Sequence, residues 1–367
     1  MENVSIIGIG RLGICFALTL ERAGYSVLGM DLNQAYVDAI NSKTLESHEH
    51  NVVNYLNESS NFVATTDLAE TLDHASVIFM VVATPSLENG RYDHSQVQAV
   101  VDAVKSHGSV DSKHLVICCT TMPEYCDTVQ DQLLEYGYTV SYNPEFIAQG
   151  TILRDQAYPD MVLIGQGSDE AGDILQNMYE RMTLSEPKIH RMSRVEAEIT
   201  KIGLNCFLTT KISYANMIGD IVTNAGGNPS TVLTAIGDDT RVGNKYINYG
   251  YGYGGPCFPR DNRVLALYAQ DLGIRALISM ASDQSNHEHL AFQIRQFVEN
   301  NNPEIPINLS RVTYKPESTL LTESQQLAFA VGVAEAGFHV NIRERKVVVE
   351  ELKRAYGDLF TYQEEEE

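Results

Sequence analysis

Tryptophan is missing from this chain of 367 residues, and positive charge is scarce: 26 Lys and Arg stand against 48 Asp and Glu, a formal charge of -22. The lack of Trp excludes nothing by itself. The deficit of positive charge does, because DNA, RNA and anionic bilayers would each have to be approached against long-range repulsion; sequence-independent binding to nucleic acid or to a membrane is not expected. A small anionic ligand remains open, since backbone amides and one or two local cations can outweigh the global field. The six cysteines (Cys15, Cys118, Cys119, Cys126, Cys206 and Cys257) show neither CxxC spacing nor a paired His cluster, which argues against a structural metal site and against a disulfide framework. No apolar run is long enough to span a bilayer, and no basic leader precedes the first apolar run at Val4. Together these absences point to a reducing, cytoplasmic setting. With 11 Pro and 26 Gly there is no room for a long disordered or collagenous segment. The terminal Glu364 to Glu367 run is expected to be a solvated, disordered tail.

What is present is enough chain for two or three domains, each with its own core. Val4 to Ile7 is apolar and ends at a glycine turn, a helical stretch runs to Arg22, and a second apolar run ends at Met30. Further strands are predicted at Val77 to Val82, Leu115 to Cys119, Thr139 to Ser141 and Met161 to Ile164, with helical patterns between them. Alternating strands and helices imply a parallel, doubly wound α/β sheet. From Val195 to Thr223 the apolar spacing is helical without a breaker, predicting one long helix in an all-helical middle; a helix apolar on more than one face has to be buried. Another helical region is expected from Asn262 to about Asn300. After Asn301-Asn302-Pro303 come a strand (Ile307 to Val312), a helix (Ser324 to Ala336), a strand (Val340 to Ile342) and a helix (Lys346 to Tyr356). The domains are therefore drawn at 1–193, 194–300 and 301–367.

Two motifs carry chemistry. Gly8-Ile9-Gly10-Arg11-Leu12-Gly13 follows a predicted strand, opens a helix, and is followed some twenty residues later by Asp31 at a strand end. In that context Gly8 permits the tight turn, Gly10 the approach of a pyrophosphate and Gly13 the close packing of helix on strand. Asp31 would accept the ribose hydroxyls and repel the extra phosphate of NADP, so NAD is the expected cofactor. The second motif is Gly254-Gly255-Pro256-Cys257-Phe258-Pro259-Arg260-Asp261. A cysteine where a glycine loop meets a helix has amides that favour a thiolate and can hold an oxyanion. Taken alone, such a cysteine is more often a small buried hydrophobe.

Read together, GIGRLG, Ala83-Thr84-Pro85, the NPEF segment Asn143 to Phe146, Ala197 to Asn205 (AEITKIGLN), Asp238 to Asn244 (DDTRVGN) and Gly252 to Asp261 resemble, in order and spacing, the UDP-glucose/GDP-mannose dehydrogenase family. The resemblance covers nearly the whole chain. It implies an NAD-dependent oxidation of a nucleotide sugar's C6 alcohol to the acid, UDP-glucose first, with GDP-mannose or a UDP-N-acetylhexosamine as alternatives. It makes Cys257 the nucleophile, with Lys201, Asn205, Asp261, Glu145 and Thr121 placing substrate and water. Cofactor contacts would come from Gly8, Gly10, Arg11, Leu12, Gly13, Asp31, Thr84, Pro85, Thr121, Gln149 and Arg260. Substrate contacts would come from Glu145, Phe146, Ile147, Lys201, Asn205, Arg241, Tyr249, Tyr251, Gly252, Tyr253, Gly254 and Lys315, and the long helix would form a homodimer core.

The residue types suit that chemistry. A growing alkoxide needs a cation and donors, as Lys201 and Asn205 provide, and an aldehyde loses a second hydride only after something adds to its carbonyl, as the Cys257 thiolate can. Plainer roles stay open beside these: Asp261 can cap the following helix, Thr84 and Thr121 can shape turns, Arg241 can form a surface ion pair, and the tyrosines at 249, 251 and 253 can simply pack. The chain also departs from the family pattern. Gln149 stands where a second Glu is usual, Thr322 where an arginine is expected, Pro256 precedes the cysteine, Arg260 replaces the commoner lysine, and the third domain is short. A catalytically weak NAD-binding dimer, and a one-step hydroxyacid dehydrogenase, are the readings of a different kind.

Overall fold

The computed structural model describes residues 1–47, 49–147, 150–316 and 318–365. The chain divides into two compact units, Met1–Lys201 and Ile202–Glu367.

The first unit begins β1 (Asn3–Ile7), α1 (Arg11–Arg22), β2 (Ser26–Met30), α2 (Gln34–Asn41), α3 (Val52–Glu58), β3 (Phe62–Thr65), α4 (Leu68–His74) and β4 (Val77–Met80). It continues with α5 (Ser95–His107), β5 (Lys113–Ile117), α6 (Tyr125–Leu133), β6 (Tyr138–Tyr142), α7 (Ile152–Ala157), β7 (Met161–Gly165), α8 (Asp169–Met182) and β8 (Lys188–Met192). The strands form one sheet in the order β3-β2-β1-β4-β5-β6-β7-β8. The first six places of that order are those of a Rossmann sheet, which reverses direction between β1 and β4 and leaves a crevice at the carboxyl ends of those strands. The alternation of side chains along each strand sorts them to two faces. Val4, Ile6 and Phe79 join α1, where Phe16 meets Phe79 edge-on at 4.8 Å, while Ile7, Ile78 and Met80 join Val97, Val101 and Val104 of α5.

The sheet is mostly parallel, as expected, with one exception: β7 pairs antiparallel with β6. The helix linking them, α7, has six residues, about 9 Å, too short to carry the chain back along a strand for a parallel return. Strands β3 and β8 were not expected; both lie at sheet edges, where a strand buries less of itself and its apolar pattern fades (β8 has no fully buried residue).

The long helix α9 (Arg194–Asn224) starts in the first unit and continues in the second; its 31 residues span about 46 Å. The second unit then adds α10 (Pro229–Asp238), α11 (Phe258–Asp271), α12 (Leu277–Asn300), β9 (Ile307–Ser310), α13 (Gln325–Glu335), β10 (Val340–Glu344), α14 (Lys346–Tyr356) and β11 (Thr361–Glu364). Local sequence sets several of these boundaries. Asn228 caps α10 ahead of Pro229, and the Ser324 hydroxyl accepts from the Leu327 amide at the start of α13. The helical region expected to start at Asn262 starts at Phe258 and is broken in two. Gly273, at φ +72°, closes α11 with its amide on the Gln270 carbonyl and the Ile274 amide on that of Ala269.

A parallel three-stranded sheet, β11-β10-β9, ends the chain. Its core joins Val340 and Ile342 to Val333 of α13, Val348 and Leu352 of α14, and Phe297 of α12. The acidic tail is thereby corrected: Glu364 ends β11, the Glu365 amide bonds the Glu344 carbonyl at 2.9 Å, and the Glu365 carboxylate pairs with Arg311 at 2.6 Å. Glu366 and Glu367 lie outside the described residues.

Candidate active site

The turn between β1 and α1 borders a cavity of about 720 Å³ lined by Gly8, Gly10, Arg11, Leu12, Gly13 and Asp31, with Val81 to Ala83 and Gln96 opposite. Its volume is that of a small-molecule site. Gly8 has φ +92°, and a Cβ there would overlap the Val81 carbonyl; a Cβ on Gly13 would overlap the carbonyl of Gly8. Gly10 differs, because nothing lies within 4 Å of the place its Cβ would take, so the backbone is bare toward the cavity. No side chain caps α1 at Gly10 and its first turn holds no acidic residue, so the helix N-terminus presents amides to an anion without a competing carboxylate. Asp31 sits at the end of β2 and accepts from the Asn33 amide at 3.0 Å. These features fit a dinucleotide: Gly10 and the α1 amides would hold the pyrophosphate, Asp31 the adenosine ribose. Gln96 was missed, having no motif; its side chain accepts from the Ala83 amide at 3.2 Å and so shapes the far wall.

Deeper in the first unit, Asn143 to Ile147 leave the carboxyl end of β6. Glu145 is half-buried, and loss of solvent pushes its carboxyl up to about 7 against the lowering effects of the Tyr179 hydroxyl and Lys201. The Tyr179 hydroxyl is 2.7 Å from Asn143 Oδ1 and 3.4 Å from Glu145 Oε1. Lys201 Nζ donates to the Glu145 carbonyl at 2.7 Å and lies 4.4 Å over the Phe146 ring. Ile147 packs on the α1 core. A cavity of about 20 Å³, room for one water, lies beside Glu145, Tyr179 and Gln156. Thr84 and Thr121 are both buried; the first donates to the Thr120 carbonyl at 2.8 Å, the second to Glu198 Oε1 at 2.8 Å, while Pro85 is exposed. Glu198, within AEITKIGLN but not singled out in the sequence, also accepts the Glu124 and Cys126 amides at the head of α6. Gln149 lies outside the described residues.

In the second unit Cys257 is exposed and occupies the N-cap of α11. Its loop is held by the Gly255 amide on the Thr322 carbonyl at 3.1 Å, and Gly255, at φ +81°, lies against the Tyr314 ring. One turn into α11, Asp261 is 1% exposed; its Oδ2 accepts from Asn205 Nδ2 at 2.6 Å and its Oδ1 from Arg260 Nε at 3.3 Å. Asn205 and Asp261 are therefore brought together beside the N-terminus that carries the thiol. The tyrosines differ from one another. Tyr253 is buried with its hydroxyl on Asp283, Tyr249 donates to Asp220, and Tyr251 is exposed and edge-on to Phe329 at 6.0 Å. A Cβ on Gly252 would overlap the Asn286 side chain, and one on Gly254 the Glu323 carbonyl. Arg241 projects into solvent, paired with Asp239 at 2.7 Å, and the carbonyl of Lys315 accepts from the Thr313 hydroxyl at 3.0 Å.

Residues 2–183 match the NAD binding domain of the UDP-glucose/GDP-mannose dehydrogenase family and residues 195–288 match its central domain. UDP-glucose 6-dehydrogenase of Rickettsia bellii is 30% identical over 297 residues, covering 80% of this chain and 68% of that one. The chain belongs to the UDP-glucose/GDP-mannose dehydrogenase family. Across several Rickettsia relatives the matched part is 62% to 68% of their length. A UDP-glucose dehydrogenase structure from Pyrobaculum islandicum superposes with a TM-score of 0.89 at 26% identity, covering 100% of this chain and 86% of that one. A UDP-D-ManNAc dehydrogenase structure from Pyrococcus horikoshii shares the fold, with a TM-score of 0.79 at 20% identity over 93% and 83% of the two chains. As a member of this family the protein is an oxidoreductase that uses NAD. Among the described residues no cluster of side chains suits a metal ion, and no helix is long and apolar enough to cross a membrane.

Proposed function

We propose that the chain oxidises the C6 primary alcohol of a nucleotide sugar to the carboxylate in two steps, with UDP-glucose the first substrate to test. The observation that carries this reading is the exposed Cys257 thiol at the N-terminus of α11, one turn from a buried Asp261 held by Asn205. A one-step alcohol dehydrogenase needs neither a thiol nor a hydrolytic carboxylate. Bound NAD supplies the hydride acceptor for each oxidation. Lys201 and Asn205 stabilise the oxygen as it gains negative charge, and a proton leaves to water or to Glu145. Cys257 adds to the aldehyde; once oxidised, the adduct is a thioester, whose acyl carbon is opened by water with Asp261, Glu145 and Thr121 placing it.

On this reading residues 1–193 hold NAD, 194–300 supply the thiol and a dimer contact, and 301–367 with Lys315 receive the nucleotide. Support for a homodimer comes from α9, which leaves Phe207, Tyr214, Met217 and Ile221 exposed at 62%, 45%, 42% and 58%, an apolar face a lone subunit would present to water. A panel of UDP-glucose, GDP-mannose and UDP-N-acetylhexosamines with NAD tests the assignment: two reduced cofactors per sugar are expected. Cys257→Ser should lose conversion to the acid. Unimpaired acid formation by that variant would falsify the thioester route, and NAD binding without turnover of any sugar would favour a scaffolding role.

A further inference from the structure

The loop that leads to Cys257 is gripped by two helices of the second unit, and one of the gripping groups can titrate. His289 of α12 is 2% exposed. Its Nδ1 lies 2.9 Å from both carboxylate oxygens of Asp220 on α9, and its Nε2 lies 2.7 Å from the Gly250 carbonyl oxygen. Both partners can only accept. A neutral imidazole carries one N–H and would set its second nitrogen lone pair against an oxygen lone pair; an imidazolium donates at both.

The surroundings hold the pair in register. Tyr249 donates to Asp220 Oδ1 at 2.8 Å, its ring stands edge-on to His289 at 5.6 Å, and it lies so close over Gly219 that a Cβ there would overlap the ring. Burial and the Asp220 carboxylate push the Tyr249 phenol up to about 12, so it remains a donor through neutral pH. Gln293 also donates to the Gly250 carbonyl, at 3.1 Å, and the Gly250 amide donates to Asn216 Oδ1 at 3.1 Å. Three residues on, Asn286 accepts from the Tyr253 amide and donates to its carbonyl, each at 2.9 Å. The asparagines and the glutamine do not titrate, and the titratable groups these contacts set against His289 are Asp220 from α9 and Tyr249 from the loop.

We propose that His289, as an imidazolium paired with Asp220, is a positioning residue for the reaction: it fixes Gly250 and through it the loop that presents Cys257, and loss of its proton at rising pH loosens that loop. The inference rests on the proposed role of Cys257. Deprotonation leaves Nδ1–H on Asp220 and removes the shorter of the two bonds to the Gly250 carbonyl, with only the 3.1 Å bond from Gln293 still in place, so the loop slackens on the alkaline side only.

The test uses the full chain. Nitrogen NMR of the His289 ring between about pH 5 and about pH 9 reports its protons, and hydrogen exchange of residues 249–255, taken at each pH relative to the intrinsic rate of an unprotected amide, reports the loop. Ring nitrogens both protonated at the acid end, and about tenfold faster loop exchange once the proton is lost, are expected. In His289→Gln, whose amide can donate to Gly250 without titrating, exchange should be flat with pH and the alkaline fall in kcat should shrink while KM for NAD is unchanged. Asp220→Asn should move the loosening to lower pH, which keeps the idea testable if His289→Gln does not fold. A ring that is neutral throughout, or an unchanged alkaline limb of loop exchange in His289→Gln, overturns it. If no nucleotide sugar is turned over, the dehydrogenase reading fails and the role of His289 in catalysis fails with it; turnover with pH-independent loop exchange sinks the His289 role alone.

Discussion

Glu145 shows how burial gives one residue a pH window. Its carboxyl, ordinarily near 4.5, is held at about 7, chiefly by desolvation. Below about pH 4.5 it is protonated in folded and unfolded chains alike. Between that point and about pH 7 the unfolded chain gives up the proton first, so stability falls as pH rises; above about 7 the loss is complete. Glu145→Gln removes the penalty. Thermal melts should show the variant level with the parent in acid and more stable above pH 7, by up to about 3 kcal/mol. An equal difference between the two proteins at both ends of the range would mean that the carboxyl does not titrate in this window. The same residue is placed to exchange protons near neutrality, as thioester hydrolysis requires in the proposed reaction, and the 2.7 Å bond from Lys201 to its backbone carbonyl keeps the loop in place whichever form is present.

At the scale of elements, the β1–α1 turn separates two glycine functions that the sequence writes identically. Gly13 has no room for a methyl group, whereas Gly10 faces open space in the cavity. Gly13→Ala should therefore destabilise the fold by about 1–3 kcal/mol and weaken NAD binding as a result. Gly10→Ala should leave the melting temperature unchanged and weaken NAD alone. Calorimetry on both variants separates the two; equal loss of stability would show that Gly10 is structural. On α9 Phe207 and Ile221 are exposed, whereas Asn205 and Asn216, which bind Asp261 and Gly250, are buried. Phe207→Glu with Ile221→Glu should convert a dimer to monomers in sedimentation velocity, since two carboxylates in an apolar contact cannot be desolvated cheaply. A sedimentation coefficient unmoved by the pair would assign the apolar face to something other than self-association.

Over the whole molecule a charge of -22 opposes the approach of NAD and of nucleotide sugars, which are themselves anions. The repulsion acts over a Debye length, about 10 Å at 0.1 M salt, whereas the α1 amides act at contact. Added salt should accordingly speed NAD association by a few-fold from about 0.01 M to about 0.15 M and change its dissociation little. Stopped-flow fluorescence measures both rates; association that slows with salt would mean that local cations, Arg11 first, outweigh the global field.

Much of this protein could be read along the chain, because the deciding features are local. The glycine spacing with Asp31, the two-residue period of the inner strands, the breaker-free stretch of α9 and the cysteine at a glycine-to-helix junction are each properties of a short segment, and together they carried fold class, cofactor and the nominated thiol. The edge strands β3, β8 and β11, the antiparallel turn-back of β7 and the break at Gly273 were not legible, since each depends on what neighbouring elements cover. Only the tertiary structure set Asn205 against Asp261 across 56 positions of chain, Thr121 against Glu198 across 77, and His289 against Asp220 across 69. Sequence alone determined which groups are available; packing decided which of them lose water and therefore which carboxyl keeps its proton and which histidine faces two acceptors, because desolvation is a property of the surroundings and not of the residue.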